Sequence, residues 1–147
     1  MFIKNIFLIL PVKFNRNYFI LTILIFCVEV LIALYVHDTI IRPYIGDLLV
    51  VVLLYCFAKS FLDTPVFATA ISVLVFSYIV EILQYFKIVN ILGFQNSAIA
   101  RIIIGTSFAW IDLVAYTLGI VLVLFVEKIM IGKTLGKQKI IVHKKNS

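Results

Sequence analysis

The chain has 147 residues, of which 64% are hydrophobic and only 14% are charged, and its net charge is +6. Soluble globular domains are about 45–50% apolar. A soluble protein of this size could not hide such an excess, because most of its surface faces water. The positive charge does not indicate nucleic-acid binding, since six of the thirteen basic residues lie in the last twenty. The composition excludes a soluble domain and predicts an integral membrane protein.

The apolar runs are continuous, which predicts an all-α fold: one polytopic membrane domain with four transmembrane helices. The spans are expected at about 18–37, 47–62, 66–89 and 108–131, followed by a basic tail at 132–147. A short N-terminal helix is expected within 1–14. Another short helix, interfacial or re-entrant, is expected at Ala98 to Ile104, and Ser107 should cap the last span.

The distribution of basic residues predicts the orientation. With the N-terminus inside, the cytoplasmic segments hold ten lysines and arginines, whereas the opposite side holds Arg42, Lys87 and Arg101. Cytoplasmic loops carry the excess of basic residues in membrane proteins. We therefore expect both termini in the cytoplasm, with the tail near anionic lipid headgroups.

Acidic residues inside the spans are costly, by about 2.5–3.5 kcal/mol for aspartate at a helix centre. Because neighbouring helices alternate in direction, all four such residues fall in the outer leaflet, and two arginines lie in loops on the same side. The cytoplasmic half is expected to hold no comparable set. The residues of this outer set are Glu29, Asp47, Glu81 and Asp112, with Arg42 and Arg101.

Helical spacing groups further polar residues with the acids. Residues three and four positions apart share a helix face, which joins Gln84 to Glu81 and Tyr116 to Asp112. The sequence therefore predicts a polar binding pocket that opens to the cell exterior. Its expected lining is Glu29, Arg42, Asp47, Glu81, Gln84, Arg101, Asp112 and Tyr116.

Each of these residues also has a purely structural interpretation. Asp47 follows a glycine and could be a helix N-cap, and Asp112 could interact with the dipole of the last helix. Glu81 could join helices or form an ion pair with Arg101, and Glu29 could support packing.

No metal site or cofactor is expected. Cys27 and Cys56 lie in apolar runs, without neighbours that suggest metal or redox chemistry, and are interpreted as small buried hydrophobic residues. The tyrosines and Trp110 mainly fit an aromatic belt at the membrane interface.

The order of these motifs resembles two families. Glu81-x-x-Gln84, then Arg101, then Asp112 with Gly119 seven residues later, is similar to the motif series of the VanZ-like family. VanZ-like proteins are small bacterial membrane proteins named after one linked to teicoplanin resistance. They often have asparagine where this chain has Tyr116.

A closer resemblance is to an uncharacterised bacterial family, over about residues 25 to 120. A first-helix glutamate, an Arg-Pro-Tyr-Ile-Gly-Asp turn and a final Asp-Leu-x-x-Tyr-x-x-Gly helix recur there, here as Glu29, Arg42 to Asp47 and Asp112 to Gly119. The resemblance implies a multi-pass protein of the bacterial cytoplasmic membrane and a role in envelope glycolipids or antibiotic tolerance.

Three functional hypotheses follow. In the first, the pocket binds or modifies an envelope component: Arg42 and Arg101 hold an anionic headgroup such as a phosphate, and Glu81 and Asp112 accept or shuttle protons. In the second, the chain is a structural or accessory membrane subunit. In the third, it is a small proton-coupled transporter that acts as a homo-oligomer, which requires polar residues through the cytoplasmic half as well. Whether catalysis occurs, and the oligomeric state, are left open.

Overall fold

The computed structural model describes residues 12–39, 41–94, 96–99 and 108–145. These residues form helices without β-strands, and four of the helices are long and apolar enough to cross a membrane. The predicted all-α membrane fold is thereby confirmed, and the chain is a multi-pass membrane protein. The helices are α1 (Arg16–Tyr35), α2 (Ile41–Phe61), α3 (Val66–Tyr85), α4 (Ile88–Ile91) and α5 (Trp110–Lys145).

Helix α2 organises the bundle. It packs against α1, α3 and α5, and α5 also packs against α3. The buried core lies between α2, α3 and α5, whereas Thr22 is the one buried residue of α1. We call the end where α1 and α3 finish and α2 and α5 begin the acidic end, and the other the opposite end. Core residues include Val51, Tyr55, Val73, Ile120 and Val123.

Helix α2 begins at Ile41, six residues before the expected start at Asp47. The segment from Arg42 to Asp47, which was expected to form a turn, is therefore part of the first two turns of the helix. Pro43 is tolerated there because the first N–H groups of a helix need no intrahelical acceptor. The N-cap interpretation of Asp47 is wrong, since Asp47 lies in the second turn.

The ends of α1 and α3 also differ from the expected spans. Helix α1 begins at Arg16 because the side chain of Asn15 caps it, accepting a hydrogen bond of 3.1 Å from the backbone N–H of Asn17. Helix α3 ends at Tyr85, four residues early. Lys87 has a left-handed backbone (φ 49°), which cannot continue a right-handed helix.

Helix α5 extends 14 residues beyond the expected span, into the basic tail. Its 36 residues span about 54 Å at 1.5 Å per residue, against about 30 Å for the hydrocarbon layer. Lysine, leucine and glutamine are good helix formers, and no proline interrupts the segment. The tail is therefore a helical continuation of the last span.

Several expected features lie outside the described residues: Arg101, the Ser107 cap, and most of both short helices. Ala98 and Ile99 begin the expected re-entrant segment and are helical. Residues 12–14, the described part of the expected N-terminal helix, are not helical. The backbone N–H of Lys13 donates to the Phe61 carbonyl at 2.9 Å, beside the bridge that joins Val12 to Leu62.

Candidate functional site

A cavity of about 900 Å³ lies between α1, α2, α3 and α5 at the acidic end. Arg101, which the sequence analysis assigned to a pocket, is outside the described residues. The other seven residues of that predicted set line this cavity: Glu29, Arg42, Asp47, Glu81, Gln84, Asp112 and Tyr116.

The helical repeat explains how α2 serves both the cavity and the core. Asp47, Val50 and Leu54 follow one another at intervals of three and four residues and line the cavity. Val51 and Tyr55 lie one position further along and are buried in the core. The early start of α2 carries Arg42 to the mouth of the cavity, where it is exposed.

Glu81 is the most deeply buried charged residue of the cavity, with 1% of its surface exposed. The hydroxyl of Tyr116 donates a hydrogen bond of 3.0 Å to its Oε1 atom. Its Oε2 atom has no hydrogen-bond partner among the described residues. Leaving a buried polar group unsatisfied costs about 1–3 kcal/mol, and more for a charged group. Glu81 therefore faces the cavity with unused capacity to accept a hydrogen bond.

Asp47 and Asp112 form a pair of acids in the same cavity. Asp47, in the second turn of α2, and Asp112, in the first turn of α5, line it together with Glu29 and Glu81. An ionised carboxylate can only accept hydrogen bonds. This part of the cavity therefore offers acceptors to a ligand that carries hydrogen-bond donors.

The described lining contains four carboxyl groups and one guanidinium, that of Arg42. The Oε1 atom of Glu29 is also buried without a hydrogen-bond partner in this part of the chain. Such a surface suits a ligand with ammonium or hydroxyl donors, and Arg42 can receive a phosphate at the mouth. Within the described ranges no group of three or more His, Cys, Asp or Glu side chains could hold a metal ion.

A polar cluster that the sequence pattern did not indicate lies at the opposite end. Glu127 of α5 is 7% exposed, and its Oε1 atom accepts a hydrogen bond of 2.8 Å from the Tyr55 hydroxyl and another from the Tyr18 hydroxyl. One buried carboxyl group is not a set comparable to the four at the acidic end, but the apolar pattern gave no expectation of a buried acid in this half. A signal was present, because Glu127 lies on the same face of α5 as Tyr116 and Ile120 by helical spacing.

Two other residue classes differ from expectation. Tyr55 and Tyr116 are buried and donate hydrogen bonds to glutamates, so they do not belong to an interfacial belt. Cys56 is buried as expected, but Cys27 is exposed on α1. An apolar run indicates that its side chains contact either hydrocarbon or protein. These helices have only a weak amphipathic pattern, which cannot distinguish the two environments.

The two polar groups are separated by an apolar layer. Val51 lies between Asp47 and Tyr55 on α2, and Ile120 and Val123 lie between Tyr116 and Glu127 on α5. Together with Val73 of α3, these buried side chains form part of one core cluster. The interior of the bundle between the two polar groups is thus filled with packed aliphatic side chains.

Comparison with known proteins gives one match. No curated protein and no solved structure is detectably similar to the chain. A family model matches residues 36–120. This range contains α2, α3 and the first third of α5, and therefore most of the cavity. Glu29, Tyr18 and Glu127 lie outside it. The VanZ-like resemblance stays a prediction. The match confirms the expected resemblance to a family of unknown function, and the chain belongs to the family described as protein of unknown function (DUF2809).

Proposed function

We propose that the chain binds the polar headgroup of an envelope component in the cavity at the acidic end. The observation that carries this proposal is the buried Glu81 carboxylate, which faces the cavity with one oxygen lacking a partner among the described residues. Buried acids in membrane spans are costly and are typical of functional sites. A ligand that donates a hydrogen bond to this oxygen would offset part of that cost.

The charges of the cavity favour a ligand that carries both donor groups and an anionic group. Ammonium or hydroxyl groups would face Glu81, Asp47 and Asp112, and a phosphate would pair with the guanidinium of Arg42 at the mouth. A purely anionic headgroup is disfavoured, because carboxyl groups outnumber the guanidinium in the described lining.

The basic tail supports an orientation in which this cavity opens outside the cell, in the cytoplasmic membrane of a bacterium. The VanZ-like resemblance adds glycopeptide tolerance as a phenotype worth measuring. The proton-coupled transporter hypothesis is less well supported, because the apolar layer around Val51 and Ile120 lies between the cavity and the opposite end.

The test replaces Glu81→Gln and Asp112→Asn together in the gene of the living host. We expect normal amounts of protein in the membrane but the teicoplanin and envelope-stress susceptibility of a deletion strain. The matched control is Asp63→Asn, since Asp63 is an exposed acid that pairs with Lys13 at the opposite end. Full retention of the parent phenotype by the double variant would contradict the proposal and favour a structural or accessory role.

A further inference from the structure

An apolar groove continues the polar cavity along the membrane-facing side of α2 and α3. Leu54 and Phe76 line both the cavity and the groove, so the two are adjacent. The groove has a volume of about 320 Å³. Apart from two threonines and a serine, its lining is aliphatic and aromatic, and it includes Phe57, Ala58, Leu62, Ala68 and Val73.

The groove follows the direction of the helices from the cavity towards the opposite end. On α3 its lining runs from Phe76 to Ala68, which is about 12 Å of helix at 1.5 Å per residue. Phe57 and Phe76 are each about half exposed, so the groove is open to hydrocarbon. The polar groups thus lie at one end of an elongated site and apolar side chains form the remainder.

We propose that the ligand is a membrane lipid, with its headgroup among the carboxyl groups of the cavity and one acyl chain in the groove between α2 and α3. This inference rests on the proposed function and names the chemical class of the ligand. A water-soluble envelope component would use only the polar cavity. The direct continuity at Leu54 and Phe76 favours an amphiphile, because one molecule then fits both surfaces.

The groove contributes orientation and close contact more than transfer free energy. An acyl chain that enters the groove leaves one apolar environment for another. The hydrophobic effect therefore contributes little to the free energy of binding, and dispersion contacts with the groove determine it. Affinity for the headgroup comes from Glu81 and its neighbours, while the groove selects lipids with a chain. These two contributions can be separated by experiment.

The experiment measures binding of phosphatidylethanolamine, which carries a phosphate and an ammonium, to the full chain in detergent by native mass spectrometry. A long-chain form is compared with a short-chain form that has the same headgroup. Ser72→Phe fills the groove from an exposed position on α3. It should weaken long-chain binding about tenfold, which corresponds to about 1.4 kcal/mol, because the phenyl ring occupies space that the acyl chain needs. Short-chain binding should be unchanged.

Three other variants make the result decisive. Ala68→Phe fills the same groove one turn away and should reproduce the effect, whereas Val75→Phe alters an exposed position of α3 outside both cavities and should have none. Glu81→Gln should weaken both lipids. Equal binding of the long-chain form by the groove variants and the unmodified chain would overturn the acyl-chain site alone. Failure of the unmodified chain to bind either form would overturn the proposed headgroup site as well.

Discussion

The Tyr55 hydroxyl donates a hydrogen bond of 2.8 Å to the Glu127 carboxylate, which joins α2 to α5 at the opposite end. The Tyr18 hydroxyl donates to the same oxygen from α1. Helix α1 packs along α2. The hydrogen bond from Tyr18 to Glu127 adds a direct link between α1 and α5. Because α1 also carries Glu29 into the cavity, this link helps to fix the position of that carboxyl group.

Tyr55→Phe removes one of the two hydroxyl donors while keeping the ring in the core. We expect a loss of about 1–2 kcal/mol in the free energy of unfolding, because a buried hydrogen bond to a charged group is lost. The measurement is thermal unfolding of the purified protein in detergent. Tyr35→Phe is the matched control, since Tyr35 is 74% exposed, and it should leave the melting temperature unchanged. Equal melting temperatures for Tyr55→Phe and Tyr35→Phe would show that the hydrogen bond from Tyr55 to Glu127 adds no stability.

The same substitution at the two buried glutamates should have opposite effects on stability. Glu127→Gln weakens an acceptor that serves two tyrosine hydroxyls and should lower the melting temperature. Glu81→Gln retains an acceptor for Tyr116 and removes a buried carboxylate with an unpartnered oxygen. It should keep or raise the melting temperature while weakening ligand binding.

That contrast distinguishes a functional acid from a structural one. Functional sites often lower the stability of the protein that contains them. A drop in melting temperature for Glu81→Gln as large as that for Glu127→Gln would contradict the functional interpretation of Glu81. It would favour the accessory-subunit hypothesis, in which the buried acid holds helices together.

A reporter fused after Ser147 tests the orientation on which an outward-facing cavity depends. Because basic residues concentrate in the tail, we expect a fused green fluorescent protein to fluoresce and a fused alkaline phosphatase to be inactive. The control carries the same reporters after Asp38, in the segment between α1 and α2. At this position the alkaline phosphatase should be active and the green fluorescent protein should not fluoresce. Active phosphatase at the C-terminus would place the carboxyl groups on the cytoplasmic side.

The sequence predicted the fold class and gathered seven cavity residues at one end, because charges within apolar runs are conspicuous and alternating helices fix their leaflet. It missed Glu127, which was obscured by the basic residues that follow it. The burial of Tyr55 was also hidden, because an apolar helix with a weak amphipathic pattern does not reveal which face meets protein. The start of α2 was misplaced because Pro43 and Gly46 are both typical of turns, although proline is also tolerated in the first turn of a helix.

Gly119 allows α5 to approach α2 closely, next to the cavity residue Tyr116. A Cβ atom at this position would lie 2.9 Å from the backbone oxygen of Leu48. Because a backbone atom cannot move aside alone, Gly119→Ala should push the helices apart and cost about 1–3 kcal/mol in the free energy of unfolding. Thermal unfolding measures this loss, and headgroup binding should weaken as Asp47 and Asp112 separate.

The matched control is Gly132→Ala on the same helix, where a Cβ atom would meet nothing within 4 Å. Alanine is favoured over glycine inside a helix by about 0.5–1 kcal/mol, so this substitution should slightly stabilise the protein. Replacing glycine by alanine is therefore expected to lower the free energy of unfolding at position 119 and to raise it at position 132. If Gly119→Ala stabilised the protein as Gly132→Ala does, α2 and α5 could not be in close contact at Leu48, and the cavity geometry would have to be revised.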